Sequence, residues 1–222
     1  MTSTPRQFYW KGLHVPFIAP WEGEKSRSST IVLRRGRGGE GIGYADELST
    51  VDRRKGVLWI RYGAVRGTGS PNLAGVHPLR QRQAMYHMLC QVCGRSTFDR
   101  RSDERHLFLV RDVDGRPIGE GERTTTPPVC EPCAGESVRD CPHLRKGHTA
   151  SLVGYAQSWG VAGIVYDPHT LTPILSDSKD GFTEVRYDNP LIRWTLAARE
   201  VVTLNRCTTV DLESLAAQKV AA

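Results

Sequence analysis

The chain has 222 residues, 39% of them hydrophobic and 24% charged, which suits one large globular domain or two small ones. A fold of this size buries roughly 70–75% of the surface its unfolded chain exposes, so it does not depend on crosslinks. No run of about 18 apolar residues occurs, which argues against a membrane partner, and the start, Met1-Thr-Ser-Thr-Pro-Arg6, lacks the basic and then apolar pattern of a secretory signal.

Charge is basic, +6 overall, and 24 of the 30 cationic side chains are arginine. Such a bias fits a GC-rich bacterial genome. It is compatible with a nucleic-acid footprint or with a mixed, solvated surface. Six cysteines without a leader fit a reduced, cytoplasmic, metal-binding protein better than a secreted disulfide framework.

Residues 1–76 look β-rich and glycine-punctuated. Thr30–Arg35 and Gly56–Tyr62 read as strands, and Trp10, Trp21 and Trp59 are core candidates. Gly36-Arg-Gly38-Gly-Glu-Gly41 formally matches a dinucleotide fingerprint, but the residues after it do not open a helix, so a hairpin tip is expected. Arg34, Arg35 and Arg37 beside it are candidate phosphate contacts.

Residues 77–149 form a second stretch. Pro78 to Leu89 reads as a helix with Leu79, Tyr86 and Leu89 on its apolar face, running into Cys90. His106–Arg111 reads as a strand turned at Asp114-Gly115. Pro127-Pro128 should hold the approach to Cys130 extended, and a short helix is expected from Ala134 to about Cys141.

Residues 150–222 read as an α+β tail. Ser151–Tyr155 and Gly163–Tyr166 are expected to pair as a hairpin. Asn189 and Pro190 cap an expected amphipathic helix whose stripe is Leu191, Trp194, Ala198, Val201 and Val202, with Cys207 in its core and a second short helix near Asp211. The three stretches could also pack as one integrated domain.

Two cysteine pairs carry the chemistry: Cys90-Gln-Val-Cys93 and Cys130-Glu-Pro-Cys133. A Cys-x-x-Cys turn brings two sulfurs to one ion, and two such turns close the tetrahedral shell that zinc prefers. Buried thiols without metal and a redox pair are the alternatives, although no thioredoxin-like βαβ pattern surrounds either pair. Cys141 or His143 could replace one cysteine, and His87 lies near the motif. A hairpin between the pairs and a helix after Cys133 would make a treble-clef-like zinc module. No phosphate-binding lysine loop, nucleophile elbow or His-Glu-x-x-His occurs. Asp46, Glu47, Asp52, Asp112 and Asp114 are scattered acids.

The order of cysteine pair, strand opening on His106, loop, cysteine pair and helix resembles the zinc-bearing HNH endonucleases. The resemblance implies His106 as the water-activating residue. That family also uses a loop Asn and a second His or Asn on the helix. Here no Asn occurs from Leu73 to Asp188, and Ala134 follows Cys133. The likeness therefore implies a shared scaffold first and a metal-dependent endonuclease second. A broader likeness covers Leu79-Arg-Gln-Arg82, Leu89–Gly94, Pro127–Cys133, Cys141-Pro-His-Leu-Arg145 and Tyr187–Trp194. It resembles a set of zinc-binding proteins of high-GC Gram-positive bacteria and their phages, and implies one cytoplasmic zinc site with no particular activity. The function expected is a zinc-stabilised, non-enzymatic protein that contacts nucleic acid or another protein. The alternatives are the endonuclease and a phage or host accessory protein.

Overall fold

The computed structural model describes residues 5–27, 29–36, 38–112 and 115–215. It is an α+β fold. The chain opens with a hairpin of β1 (Tyr9–Trp10) and β2 (Leu13–His14), then a second of β3 (Ile31–Gly36) and β4 (Gly39–Tyr44). A short helix α1 (Ser49–Asp52) leads into β5 (Arg53–Arg54) and β6 (Val57–Trp59). Helix α2 (Pro78–Tyr86), β7 (His106–Arg111), β8 (Arg123–Thr124), α3 (Glu131–Asp140) and α4 (Pro142–Arg145) come next. The chain then enters β9 (His148–Val165), β10 (Thr183–Arg186), a 3-10 turn (Pro190–Trp194) and β11 (Thr195–Val210).

One antiparallel ribbon organises the molecule. β9 and β11 pair from Val165 with Thr195 to Ala150 with Val210. The outer edge of β9 takes β7 along one half and β10 along the other. The outer edge of β11 takes β6, in parallel, near its start and β8 near its middle. β5 closes the order beyond β6. Strands from all three sequence stretches therefore share one sheet. Two register shifts interrupt the ribbon: Ala198 is an extra residue in β11 and Trp159 an extra residue in β9. The two bulges have opposite sense, so the pairing regains its original offset beyond them.

Both faces of the sheet are covered, which alternation along β7 makes plain. Leu107 and Leu109 pack with Val129, Ala134, Ala150, Leu152 and the paired cysteines. Phe108 points the other way, to Met85, Ile118, Val153, Val202 and Leu204. Farther along, Val57, Trp59, Val161 and Ala197 form one cluster and Ile42, Tyr44, Leu58 and Leu196 another.

Several expectations change. The amphipathic helix from Pro190 is not formed. Asn189 does cap a turn, accepting from the Leu191 N–H at 2.9 Å, but only Pro190–Trp194 is helical. The segment after Trp194 is rich in β-branched residues (Thr195, Val201, Val202, Thr203, Thr208, Thr209 and Val210), and it pairs along its whole length. Because both faces of the sheet are covered, Val201 and Val202, neighbours in sequence, both lie buried and so imitate a helical stripe. Cys207 accordingly lies on β11. Ser151–Tyr155 and Gly163–Tyr166 do not pair with each other: they belong, through Val165, to the single strand β9, whose partner is β11. A helical turn does begin after Asp211, over 212–215.

Among the described residues the hairpin expected between the cysteine pairs is not formed: β7 pairs with β9 and β8 with β11. Trp21 and Trp59 are buried, whereas Trp10 is 37% exposed. On α2 the expected face is wrong: Tyr86 is 70% exposed, while Arg80 and Gln81 are buried. Both side chains reach distant partners, although Arg80 Nε itself has no hydrogen-bond partner among the described residues. Arg80 grips Glu24 through two bonds of 2.6 and 2.7 Å. The Gln81 amide donates to the carbonyls of Glu200 and Thr125 and accepts from the Glu200 N–H, filling the ladder where β11 bulges.

The glycine-rich stretch is a hairpin. A Cβ at Gly41 would lie 2.6 Å from the Arg193 carbonyl oxygen, so the glycine admits the 3-10 turn, and β4 stands where a dinucleotide fold needs a helix.

Candidate metal centre and adjoining surfaces

The first cysteine pair sits in a knuckle tied at its base. The Cys90 N–H donates to the Arg95 carbonyl at 2.8 Å, and the Gly94 N–H returns to the Cys90 carbonyl at 2.8 Å. Gly94 takes a left-handed φ of +70°, and a Cβ there would strike the Phe17 ring. The second pair opens α3: Cys130 is the residue before its first turn and Cys133 lies inside it. The approaches to the two pairs are bonded to each other, Gln91 N–H to the Pro128 carbonyl at 2.9 Å, and to β7, Val129 N–H to the Leu107 carbonyl at 2.8 Å. Sheet, knuckle and helix thus converge from three directions.

The four sulfurs lie within 4.8 Å of one another, three of the residues buried and Cys130 half-buried. Four sulfurs at about 2.3 Å from a common centre in a regular tetrahedron are about 3.8 Å apart. The Cys93 and Cys130 sulfurs are 3.8 Å apart. All four cysteines are free thiols, so the spacing is that of metal ligands and not of a disulfide, whose sulfurs bond at about 2.05 Å. The residues present fit a metal ion.

Without a cation the four groups divide the charge unevenly. Hydrogen bonds from Cys130, Cys133 and Cys90 hold the Cys93 sulfur far below the ordinary thiol range. Bonds from Cys133 and Cys90 bring Cys130 down to about 7. Cys90 and Cys133 are pushed up, chiefly by their bonds to Cys130. A divalent ion removes this conflict, because it stabilises every thiolate at once. The positive end of α3 favours the same state. A cavity of about 280 Å³ beside the sulfurs is lined by Arg95, Arg100, Arg101 and Arg105 together with Glu131 and Glu136, and Arg101 pairs with Asp103 and Glu131.

Cys141 caps the far end of α3, and His143 on α4 and His87 are exposed. None of the three joins the four sulfurs. His106 is buried on the face of β7 opposite Leu107. The Thr97 hydroxyl donates to the Met88 carbonyl at 2.8 Å and accepts from His106 Nδ1 at 2.8 Å, which puts the ring proton on Nδ1. Burial lowers the His106 pKa, so the imidazole is neutral at pH 7. The acids Asp46, Glu47 and Asp52 are structural: Arg61 binds Asp46 and Asp52, and Arg53 binds Glu47. Asp114 and Arg37 lie outside the described residues.

A second constellation is not legible in the sequence. Glu200 is buried, and its carboxylate accepts from Ser158 Oγ at 2.6 Å on one oxygen and from Tyr187 Oη at 2.6 Å on the other. Lys55 Nζ donates to Ser158 Oγ at 2.6 Å and lies 4.5 Å above the Tyr187 ring. Burial, and then the Glu200 charge, push the Tyr187 pKa up, so its hydroxyl stays a donor. Four side chains from β9, β11, the β5–β6 turn and the segment after β10 meet here, with no shared motif. The one local signal is Lys55-Gly56, a turn dipeptide.

Three concavities meet at Lys55. One holds Arg34, Arg35 and Arg193, and shares Lys55 and Tyr187 with a second that holds Arg54, Arg82 and Tyr86. The third, of about 770 Å³, shares Lys55, Tyr86 and Glu200 with the second and adds Phe98 and Tyr155. Tyr86, Phe98 and Tyr155 are all exposed. Among the described residues no helix is long and apolar enough to cross a membrane. No protein-family model, curated protein or solved structure matches the chain.

Proposed function

We propose that the chain is a zinc-stabilised nucleic-acid-binding protein whose ligand is a single strand lying in the groove centred on Lys55. The observation that carries this reading is the sequence of surfaces along that groove. Arg34, Arg35, Arg193 and Arg54 supply positive charge at one end, and Tyr86, Phe98 and Tyr155 offer exposed rings toward the other. Single strands are held by this combination, phosphates by cations and bases by stacking, at roughly 1–3 kcal/mol per stacked base. The net charge of +6 adds a favourable field at longer range.

Zinc is the ion proposed for the four cysteines, because an all-thiolate tetrahedron with every position filled by protein is a structural zinc shell. Its role is then to hold the knuckle and α3 against the sheet, away from the groove. Free thiols also fit a reducing, cytoplasmic setting. Kinship with the zinc-binding proteins of high-GC Gram-positive bacteria and their phages belongs to the same proposal.

Fluorescence anisotropy with random single-stranded 20-mers of DNA and RNA tests the reading. Binding should weaken steeply with salt, with a log–log slope of about −0.7 for each phosphate neutralised. Arg54→Ala and Arg193→Ala should each flatten that slope, while Tyr86→Ala should weaken binding at every salt concentration. No binding to either strand type at low salt would overturn it in favour of a protein partner.

A further inference from the structure

We propose that Ser158 is a nucleophile toward phosphodiesters, activated by Glu200, and that the groove therefore processes the strand it binds. This rests on the nucleic-acid reading of the groove. The geometry follows the logic of an activated hydroxyl: nucleophile and base within hydrogen-bond reach, the base oriented by a third group. Ser158 is exposed, and its Oγ–H points to a buried carboxylate oxygen 2.6 Å away. Tyr187 holds the other oxygen of that carboxylate at 2.6 Å and acts as the positioning residue. Lys55, 2.6 Å from the same Oγ, is placed to meet the charge of an incoming phosphate.

Backbone irregularity gathers at this site. Lys55 and Gly56 form a two-residue hairpin turn with left-handed φ of +51° and +79°. Asn is the usual residue at the first of these positions, and a lysine there is held in a conformation unfavourable for its Cβ. The bulge residue Trp159 adjoins Ser158, and the bulge residue Ala198 lies two positions before Glu200. Bulges re-aim side chains and collect beside active sites. Ser158 stands opposite Val202 and Glu200 opposite Val161, so the two side chains meet diagonally across the ribbon on either side of the extra residue Trp159.

In the step proposed, the Ser158 Oγ–P bond forms as the P–O bond to the leaving nucleoside breaks in line. The Ser158 proton passes to Glu200 and through water to the leaving alkoxide. Water then attacks phosphorus and gives its proton to Glu200, the Oγ–P bond breaks, and Glu200 passes that proton to the departing Ser158 oxygen. No oxidant, reductant or metal enters the balance.

Two probes test this on the zinc-loaded chain with no added magnesium or manganese. A fluorophosphonate should label Ser158: the Oγ–P bond forms, the P–F bond breaks, fluoride leaves, and the proton passes to Glu200. Peptide mapping should find the adduct at Ser158, and Glu200→Gln should slow labelling about 100-fold or more, as for loss of a general base. Lys55→Asn, which suits the turn, should leave melting unchanged and slow adduct formation with an end-labelled single strand. Failure of Ser158 to label, or equal labelling in a Glu200→Gln variant of unchanged melting temperature, overturns the nucleophile whether or not strands bind. Labelling at Ser158 together with strand binding but no protein–strand adduct overturns the phosphodiester assignment. Loss of strand binding alone is measured separately by anisotropy and bears on the groove.

Discussion

Two regions of this molecule solve the same problem in opposite ways. Around Cys90 to Cys133 and around Glu24 to Arg80, long loops must be held to the rest of the fold. At the first, four thiols converge and leave negative charge for an ion to satisfy. At the second, protein groups satisfy each other: Glu24 accepts from Arg80 twice and from the Trp21 N–H at 2.9 Å, while Arg80 also donates to the Ala19 carbonyl at 2.8 Å. His77 stands 3.7 Å from the same carboxylate, and burial keeps its pKa low. The first region is therefore arranged to take an ion and the second is not.

The comparison can be broken at its strongest point first. A structural zinc shell is worth an apparent ~10–16 kcal/mol, so Cys90→Ser or Cys130→Ser should remove most of the stability of the knuckle and α3. Amide exchange there should rise while the Glu24–Arg80 region stays protected. Next, Glu24→Gln leaves Arg80 buried without its counter-charge, and breaking a buried pair from one side costs about 3–5 kcal/mol. Chemical denaturation should show that loss with or without added zinc. Gln81→Leu is smaller in kind: it strands the Glu200 N–H and two carbonyls, at about 1–3 kcal/mol for a buried group left unpaired. Its melting temperature should fall, with metal content unchanged.

Acid gives the finest separation. Burial alone would raise the Glu24 pKa, but Arg80, the Trp21 N–H and His77 bring it below its ordinary value. The Arg61 guanidinium does the same for Asp52. A carboxylate depressed on folding contributes stability above its unfolded pKa of about 4, and loses it as pH falls through the lower folded value. Unfolding of the Glu24 region should therefore track acidification below about pH 4, and Glu24→Gln should remove part of that slope. Thiolate ligands have ordinary pKa values near 8.5, so protons compete with the ion over a higher range.

The same contrast explains what can be read from the chain alone. The cysteine pairs are local: spacing within each pair dictates a knuckle, and the four sulfurs gather as that spacing implies. β7 is equally legible, since His106–Arg111 is a short apolar run ended by a turn. The burial of Arg80 and Gln81 is not, because it depends on Glu24 and on the backbone of Glu200, more than 50 positions away in each case. The strand β11 misleads for a related reason: both of its faces are covered by distant segments, so neighbours such as Val201 and Val202 are buried together. Lys55, Ser158, Tyr187 and Glu200 carry no mutual signal in one dimension, since tertiary pairing alone brings them together.

Native mass spectrometry of the purified chain, followed by amide exchange before and after chelation, tests the central claim most directly. The account predicts one zinc per chain, and on its removal a selective loss of protection in the Cys90–Gly94 knuckle and α3. A metal-free chain with the same protection in both segments and the same melting temperature would contradict it.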